Sequence, residues 1–237
     1  MREPEPAGRS LGRVNGMADG LIVLVFGASG MVGQGVVREC LLDERVREVR
    51  AVVRRPLGTH HPKLRTVVTE DLATAGEHLV GVDATFDSAG VSANGLGEAE
   101  YRRLTYDLTV GIARAVADAS PGSAFVYVSG VGTNRDSRFM WARVKGETED
   151  AVAALPLRSW SFRPALIQPL HGARPATRFY GAVYAALRPA FPLLSRLFPR
   201  GVTSTEAVGR AMLAAVTGGA PQGVVTTATV NALARTA

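Results

Sequence analysis

Short apolar runs alternate with longer amphipathic stretches along most of this chain. The short runs are rich in β-branched residues and predict strands, whereas apolar positions at helical spacing predict helices. Alternation of the two is typical of an α/β fold, in which helices cover both faces of a doubly wound parallel sheet. The pattern predicts strands at residues 20–26, 49–53, 64–69, 82–86, 124–129 and 158–162, and helices at residues 31–42, 98–119 and 139–155.

The last third of the chain has a different pattern. Residues 177–198 are apolar and aromatic and are interrupted by prolines, which predicts short helical pieces over the open end of the sheet. Residues 205–216 predict the last helix, and residues 223–227 predict an edge strand. We therefore predict a single domain over residues 20–237, with residues 164–204 as a small, variable C-terminal elaboration on the substrate side.

Composition limits the partners and the location that we expect. The net charge of +6 comes mostly from scattered arginines, without the motif spacing of nucleic-acid-binding modules, so we expect neither a nucleic-acid partner nor a metal site. Cys40 is the one cysteine and cannot form an internal disulfide, which favours a reducing, cytoplasmic location. Residues 1–19 are rich in Pro, Gly and Arg and predict a disordered leader, with Met17 as an alternative start.

The strongest motif is a glycine-rich segment between the first strand and the first helix. Its sequence is Gly27-Ala28-Ser29-Gly30-Met31-Val32-Gly33. In a Rossmann-type dinucleotide site, the first glycine permits a tight turn, the second lets backbone amides approach the pyrophosphate, and the third lets the helix pack closely on the strand. The start of the helix then offers free N–H donors to the phosphates. The segment predicts a dinucleotide site, and the alternative is a glycine turn that binds nothing.

The second strand indicates which dinucleotide is bound. A site for NAD usually has an Asp or Glu after this strand, whereas an Arg accommodates the 2′-phosphate of NADP. Here residues 49–53 are followed by Arg54-Arg55-Pro56 and by no acid. NADP is therefore predicted in preference to NAD, with Arg54 as the favoured contact because its planar guanidinium offers several donors. The alternative is that both arginines are solvated residues at a strand end.

Six segments, in this order, resemble the short-chain dehydrogenase/reductase superfamily, in its atypical branch near the NmrA-like, Tat-interacting-protein-like and NAD-dependent epimerase-like members. They are Val25-Phe26-Gly27-Ala28-Ser29-Gly30, Val53-Arg54-Arg55-Pro56, Glu70-Asp71-Leu72, Phe125-Val126-Tyr127-Val128-Ser129, Val144-Lys145-Gly146-Glu147 and Phe162-Arg163-Pro164. The resemblance covers residues 21–215. It implies a Rossmann-type fold that binds a nicotinamide dinucleotide.

The resemblance also implies further cofactor contacts. Asp71 is similar to the residue that meets the adenine amino group, and Leu72 is similar to one that lines the adenine pocket. Ser88-Ala89-Gly90 falls where the family's chain passes the cofactor ribose, and Pro164 follows the sixth strand beside the cofactor. Simpler explanations stay open, because Asp71 also suits a helix N-cap and Ala89-Gly90 also suits an ordinary turn.

The catalytic residues of the family are matched here with one departure. Ser129 resembles the serine that donates a hydrogen bond to the substrate carbonyl. Lys145 resembles the lysine that holds the nicotinamide ribose and lowers the pKa of a tyrosine four residues before it. In this chain Trp141 occupies that tyrosine position, and its indole has no titratable proton. Either another group supplies the proton, with Tyr106 and His171 as candidates, or the chain is not a conventional reductase.

Ser129, Lys145 and Trp141 each have an alternative role as well. Trp141 is interpreted either as a wall that stacks on the nicotinamide or an aromatic substrate, or as a buried packing residue. Ser129 alternatively caps the next turn. Lys145 alternatively lies solvated on its helix.

Two functions are consistent with these residues. The first is an NADP-dependent oxidoreductase or epimerase-like enzyme that acts on an unidentified small molecule through Ser129 and Lys145. The second is a non-catalytic, NADPH-sensing module of NmrA-like type, which the missing tyrosine favours. The aromatic and basic residues between 178 and 200 suit a substrate wall, subunit packing in a homodimer, or peripheral contact with an anionic membrane.

Overall fold

The structure is a computed structural model that describes residues 20–71, 75–175 and 178–237. Within these residues the chain forms a seven-stranded parallel sheet with helices on both faces, and a second sheet of two short strands. This architecture confirms the predicted Rossmann-type α/β fold. The predicted leader over residues 1–19 and the predicted adenine-pocket residue Leu72 lie outside the described residues.

The order of the strands creates a switch point at the centre of the main sheet. The main sheet contains β1 (Leu21–Phe26), β2 (Val46–Val53), β3 (Leu64–Val68), β4 (Ala84–Asp87), β5 (Ala124–Val128), β6 (Arg158–Arg163) and β9 (Gly223–Thr226), and the second sheet contains β7 (Leu166–Gln168) and β8 (Val202–Ser204). Across the main sheet the order is β3-β2-β1-β4-β5-β6-β9, so the two halves of the fold meet between β1 and β4. In open α/β sheets, ligands bind beyond the carboxyl ends of the strands at this point.

The helices form one layer on each face of the main sheet, and two more lie in the C-terminal region. One layer contains α1 (Met31–Leu42), α7 (Thr205–Ala214) and α8 (Thr227–Thr236). The other contains α2 (Glu98–Arg102), α3 (Leu108–Ala119) and α4 (Met140–Ala153), and the π-helical turn Arg103–Asp107 joins α2 to α3. The remaining α-helices of the described residues are α5 (Arg178–Leu187) and α6 (Phe191–Leu197).

Alternate side chains of β1 belong to opposite layers. Val23 and Val25 pack with α1 and α7, whereas Ile22, Leu24 and Phe26 pack with α3. Because both faces of the strand are buried, its sequence is continuously apolar instead of alternating.

Glycines let α1 and α7 approach each other closely. A Cβ on Gly35 would lie 2.6 Å from the Cβ of Thr205, and a Cβ on Gly209 would lie 2.8 Å from the Cγ of Glu39. Larger side chains at these positions would separate the helices. This contact fixes α1, and the turn that precedes it, against the C-terminal third of the chain.

Three elements differ from the sequence prediction. The strands β7 and β8 have three residues each, which is too short to show a periodicity. The helix α8 was not predicted, because its Thr and Val residues favour strand over helix. Its N-cap is Thr226, whose Oγ1 accepts a hydrogen bond from the Thr229 amide over 3.3 Å.

Among the described residues, none of the helices has the length and apolar character needed to cross a membrane.

Candidate functional site

The glycine-rich segment forms a tight turn between β1 and α1. Gly27 has a positive φ of 73°, and the Gly30 amide donates a hydrogen bond to the Gly27 carbonyl oxygen over 2.9 Å. A Cβ on Gly27 would lie 2.5 Å from the backbone nitrogen of Ala89, so only glycine lets the turn pack against the end of β4. Gly30 is the N-cap of α1 and provides no side-chain hydrogen bond. The first amides of α1 therefore suit an anionic ligand.

The next residues of α1 hold this turn in place. A Cβ on Gly33 would lie 2.0 Å from the Gly27 carbonyl oxygen, so glycine is required where the helix passes the turn. The Gln34 side-chain amide donates to the Ser29 carbonyl oxygen over 2.8 Å. It also exchanges hydrogen bonds with the backbone of Arg174, at 3.2 and 3.3 Å. The loop that follows β7 is thereby tied to the glycine turn.

A cavity of about 500 Å³ opens where the carboxyl ends of the central strands meet. It brings together residues that are far apart in the sequence. Within its described lining, Lys145 is the one ionisable side chain. Of the predicted site residues, the lining contains Val32, Ser88, Ala89, Gly90, Ser129, Lys145 and Pro164.

A larger cavity, of about 640 Å³, lies at the edge of the sheet. It is lined by β3 and by the loop between β2 and β3, including Leu57, His60 and His61. This edge is remote from the switch point between β1 and β4. We therefore assign the candidate site to the smaller cavity, whose lining includes Val32 of the glycine-rich segment and residues at the ends of β4, β5 and β6.

Lys145 extends from α4 to the end of β5. Its Nζ lies 3.2 Å from the Ser129 carbonyl oxygen and 3.4 Å from the phenol oxygen of Tyr127. Burial lowers the pKa of Lys145 to about 8, although the negative charges of Asp87 and Glu149 act in the opposite direction. Lys145 is therefore a cation that can release a proton close to neutral pH.

The Ser129 hydroxyl is paired with a second hydroxyl. Its Oγ lies 3.0 Å from the Oγ1 of Thr133, and both side chains are buried. The Ser129 amide donates to the Phe162 carbonyl oxygen over 2.8 Å, which fixes the backbone at the end of β5. The serine side chain thus has a defined partner at the cavity.

Asp87 is fully buried at the end of β4, beside the lysine. Its Oδ1 accepts a hydrogen bond from the Ala89 amide over 2.9 Å. Burial raises the pKa of Asp87 to about 6, whereas the Ala89 amide, Thr109 and Lys145 lower it. The opposite charges of Asp87 and Lys145 stabilise each other, so this acid favours the ammonium form of Lys145.

Trp141 lies on the same helix as Lys145, but it is not part of the described cavity lining. Its ring lies against the loop after β5, where a Cβ built on Gly132 would be 3.2 Å from the Cη2 of Trp141. The indole is partly buried. The structure therefore brings Ser129 and Lys145 together at the cavity and leaves Trp141 beside it.

The two candidate proton donors also lie away from the cavity lining. The Tyr106 ring lies under the guanidinium of Arg102, 4.2 Å from its carbon. The His171 Nε2 lies 2.5 Å from a carboxylate oxygen of Glu206. Tyr127 is closer to Lys145, but burial, followed by the charge of Asp87, raises its pKa well above the usual value for a phenol. It does not ionise near neutral pH.

The residues predicted to bind the adenosine half of the dinucleotide lie at the ends of β2 and β3. Arg54 and Arg55 follow β2, and both are exposed. Asp71 follows β3 and is also exposed, and its carbonyl oxygen accepts a hydrogen bond from the Thr69 hydroxyl over 3.1 Å. All three residues follow the carboxyl ends of their strands, in the half of the sheet beyond β1.

Several polar residues of this site were not predicted from the sequence. Asp87 carries a signal, because it is an acid at the end of an apolar strand, directly before Ser88-Ala89-Gly90. Glu149 carries another, because it lies one helical turn after Lys145. Tyr127 and Thr133 carry none, because their contacts depend on the register of β5 and on the loop that follows it.

The C-terminal helices expose a group of apolar side chains. Phe191 is buried, and its ring stacks on Tyr184 at a centroid distance of 6.1 Å. Leu193, Leu197 and Phe198 are each 60% exposed. A substrate wall, a homodimer contact and a membrane contact stay predictions for this surface.

Comparison with curated proteins identifies the family. No protein-family model matches the chain. The protein named fmp52, mitochondrial, of Aspergillus fumigatus is 30% identical over 177 residues, which cover 68% of this chain and 74% of that protein. Its counterpart in Aspergillus clavatus is 31% identical over 186 residues, which cover 70% of this chain and 78% of that protein. The chain belongs to the Fmp52 family.

Membership of the Fmp52 family corrects one prediction. The predicted cytoplasmic location is wrong, because these relatives are named as mitochondrial proteins. The prediction relied on the single cysteine, Cys40, which is buried and reduced. A buried thiol excludes an internal disulfide but does not distinguish one compartment from another.

Solved structures confirm the fold of this Fmp52 family member. MoeE5, in complex with UDP-glucuronic acid and NAD, superimposes with a TM-score of 0.63 and 21% identity, covering 85% of this chain and 74% of that chain. A short-chain dehydrogenase from Burkholderia cenocepacia, in complex with NADP, gives a TM-score of 0.60 and 20% identity, covering 91% of this chain and 92% of that chain. The resemblance to the short-chain dehydrogenase/reductase superfamily is thus confirmed at the level of the fold.

Proposed function

We propose that the chain is an oxidoreductase that uses a nicotinamide dinucleotide, NADP in preference to NAD, to act on a small carbonyl or alcohol substrate. One observation carries the proposal. Val32, from the turn Gly27–Gly33, lines the same cavity as Ser129 and Lys145, at the switch point between β1 and β4. A bound nicotinamide supplies hydride exchange with the substrate carbon.

The residues present fit this cofactor. The amides at the start of α1 suit the pyrophosphate, since Gly30 leaves them without a side-chain cap. The contact between Gly27 and Ala89 leaves no room for a Cβ, so glycine is required where the turn passes the end of β4. The cavity of about 500 Å³ has the size of ordinary small-molecule pockets. The related folds of MoeE5 and of the Burkholderia protein, with NAD and NADP, support the same class of cofactor.

Ser129 and Lys145 have separate tasks in this proposal. The Ser129 hydroxyl donates a hydrogen bond to the substrate oxygen, while the Thr133 hydroxyl holds its orientation. The Lys145 ammonium holds the nicotinamide ribose through one N–H and remains anchored to the Ser129 carbonyl oxygen through another. Both groups therefore orient the reactants at the end of β5.

A titration of the full chain with NADPH and NADH, followed by fluorescence, tests the cofactor. We expect NADPH to bind at least about tenfold more tightly, which corresponds to ~1.4 kcal/mol and is within the reach of one charge-assisted phosphate contact. Arg54→Ala should remove this preference and leave NADH affinity unchanged. Arg114→Ala, at an exposed position of α3, is the matched control.

Each result of this titration has a clear meaning. If neither dinucleotide binds the native chain, the proposed function is wrong. If Arg54→Ala keeps the full preference for NADPH, another residue contacts the 2′-phosphate. Oxidation of NADPH in the presence of a panel of aldehydes, ketones and quinones then tests the reaction itself.

One observation favours a second function, an NADPH sensor without catalysis. Trp141 occupies the tyrosine position, and its ring is directed at Gly132 and not at the cavity. The variant Trp141→Tyr separates the two functions, because a weakened reductase should gain turnover with the carbonyl panel, whereas a sensor should gain none.

A further inference from the structure

Lysine is rare among the basic residues of this chain. Of its 27 Lys and Arg residues, Lys63 and Lys145 are lysines and the other 25 are arginines. An arginine keeps its proton in proteins, whereas an amine can release one. Position 145 therefore holds an amine that can release a proton, which the 25 arginines cannot do.

The cavity leaves few alternatives for proton transfer. Lys145 is the one ionisable side chain in its described lining. Trp141, Tyr106 and His171 are outside that lining, and the contacts of their rings are with Gly132, Arg102 and Glu206. The Ser129 hydroxyl, at the same strand end, is placed to orient a substrate oxygen.

We propose that Lys145 itself delivers the proton to the substrate oxygen, in the step for which the short-chain dehydrogenase/reductase superfamily uses a tyrosine. This inference rests on the proposed oxidoreductase function. During reduction, a Lys145 Nζ–H bond breaks and an O–H bond forms on the substrate oxygen, while the substrate carbon receives a hydride from the reduced nicotinamide dinucleotide. The carbonyl gains two electrons and the dinucleotide loses them. Lys145 is left as a neutral amine and regains a proton from water.

The groups packed around Lys145 adjust its proton affinity in opposite directions. Asp87 from β4 and Glu149 from its own helix α4 favour the ammonium form, whereas burial favours the amine. Tyr127 from β5 is a neutral hydrogen-bond partner, because its pKa is raised well above the usual value. The balance leaves the pKa of Lys145 at about 8, so both forms are accessible at neutral pH.

The first test measures Lys145 without any substrate. The full chain is labelled briefly with acetic anhydride at a series of pH values, and the acetylation of each lysine is measured by mass spectrometry, with Lys63 as the reference in the same sample. We expect a midpoint for Lys145 close to pH 8, and a lower midpoint in Asp87→Asn, because the variant removes a negative charge that favours the ammonium. Restricted access slows labelling at every pH and does not move the midpoint. A midpoint near that of a free lysine, or no change in Asp87→Asn, overturns the inference.

The second test compares Lys145→Arg with Lys63→Arg. Arginine at position 145 keeps the positive charge and several donors but cannot release a proton at neutral pH. We expect kcat with a carbonyl of the panel to fall by about 100-fold or more, while the Kd for NADPH changes by less than about tenfold. Lys63→Arg, which replaces the lysine that donates to the Asp43 carbonyl oxygen, should match the native chain.

The pH dependence of kcat and the activity of the native chain provide two further tests. In the native chain, kcat for reduction should fall as the pH rises through about 8, and Asp87→Asn should move this fall to lower pH. A Lys145→Arg variant with native kcat overturns the inference while leaving the proposed function intact. A native chain that binds NADPH but turns over none of the carbonyl compounds removes the proposed enzyme activity, and this inference with it.

Discussion

Replacement of Gly33 by alanine tests whether the glycine turn requires close contact between α1 and β1. The added Cβ would lie 2.0 Å from the Gly27 carbonyl oxygen and 2.8 Å from the Cα of Ala28. Both neighbours are backbone atoms, so the overlap cannot be relieved by a side-chain rotation. The turn or the helix must move by about 1.5 Å to restore an ordinary contact.

Two opposing effects determine the size of the change. Alanine favours a helix over glycine by about 1 kcal/mol. Overpacking in a close-packed interior costs about 1–3 kcal/mol, and occasionally more. Because the overlap at Gly33 is between backbone segments, we expect the steric cost to dominate and the free energy of unfolding to fall by about 2 kcal/mol. For a domain of this size, the melting temperature should fall by about 4–8 °C.

Thermal unfolding with and without NADPH measures both consequences. In Gly33→Ala, the increase in melting temperature that NADPH produces should be lost, because the turn that holds the pyrophosphate is displaced. Gly58→Ala is the control, since a Cβ at Gly58 would meet no atom within 4 Å. The reasoning is refuted if Gly33→Ala melts at the native temperature and is still stabilised by NADPH.

Two further predictions concern buried ionisable groups. The pKa of Asp87 is raised to about 6 in the folded chain, so the stability it contributes is present below about pH 4 and is lost as the pH rises through about 6. We therefore expect the free energy of unfolding of Asp87→Asn, measured with urea and taken relative to that of the native chain, to increase across this interval. The increase should be at most on the order of 3 kcal/mol. A difference between the two chains that does not depend on pH would contradict this prediction. Cys40 is fully buried, and burial raises its pKa far above the usual value, so its thiol should react with a disulfide reagent at the rate of unfolding. Rapid reaction in native buffer would show that α1 is accessible.

The core of the fold is encoded in local patterns of the sequence. The buried strands β1 and β5 are continuous apolar runs, and α1 has the predicted bounds, Met31–Leu42. Gly27, Gly30 and Gly33 could be recognised because their spacing reflects the geometry of one short turn. Local patterns failed where the elements are very short, as in β7, or where packing overrides propensity, as in α8, whose Val230 and Leu233 are buried.

Local sequence patterns are sufficient to predict a parallel α/β sheet with a glycine turn after its first strand, because strand and helix periodicity and turn geometry depend on neighbouring residues. Which side chains surround the cavity depends instead on tertiary packing. The register of β4 against β5 pairs Asp87 with Tyr127, and the packing of α4 then brings Lys145 to both. The same packing directs Trp141 at Gly132. Contacts of this kind join residues that are distant in the chain, so no local pattern contains them.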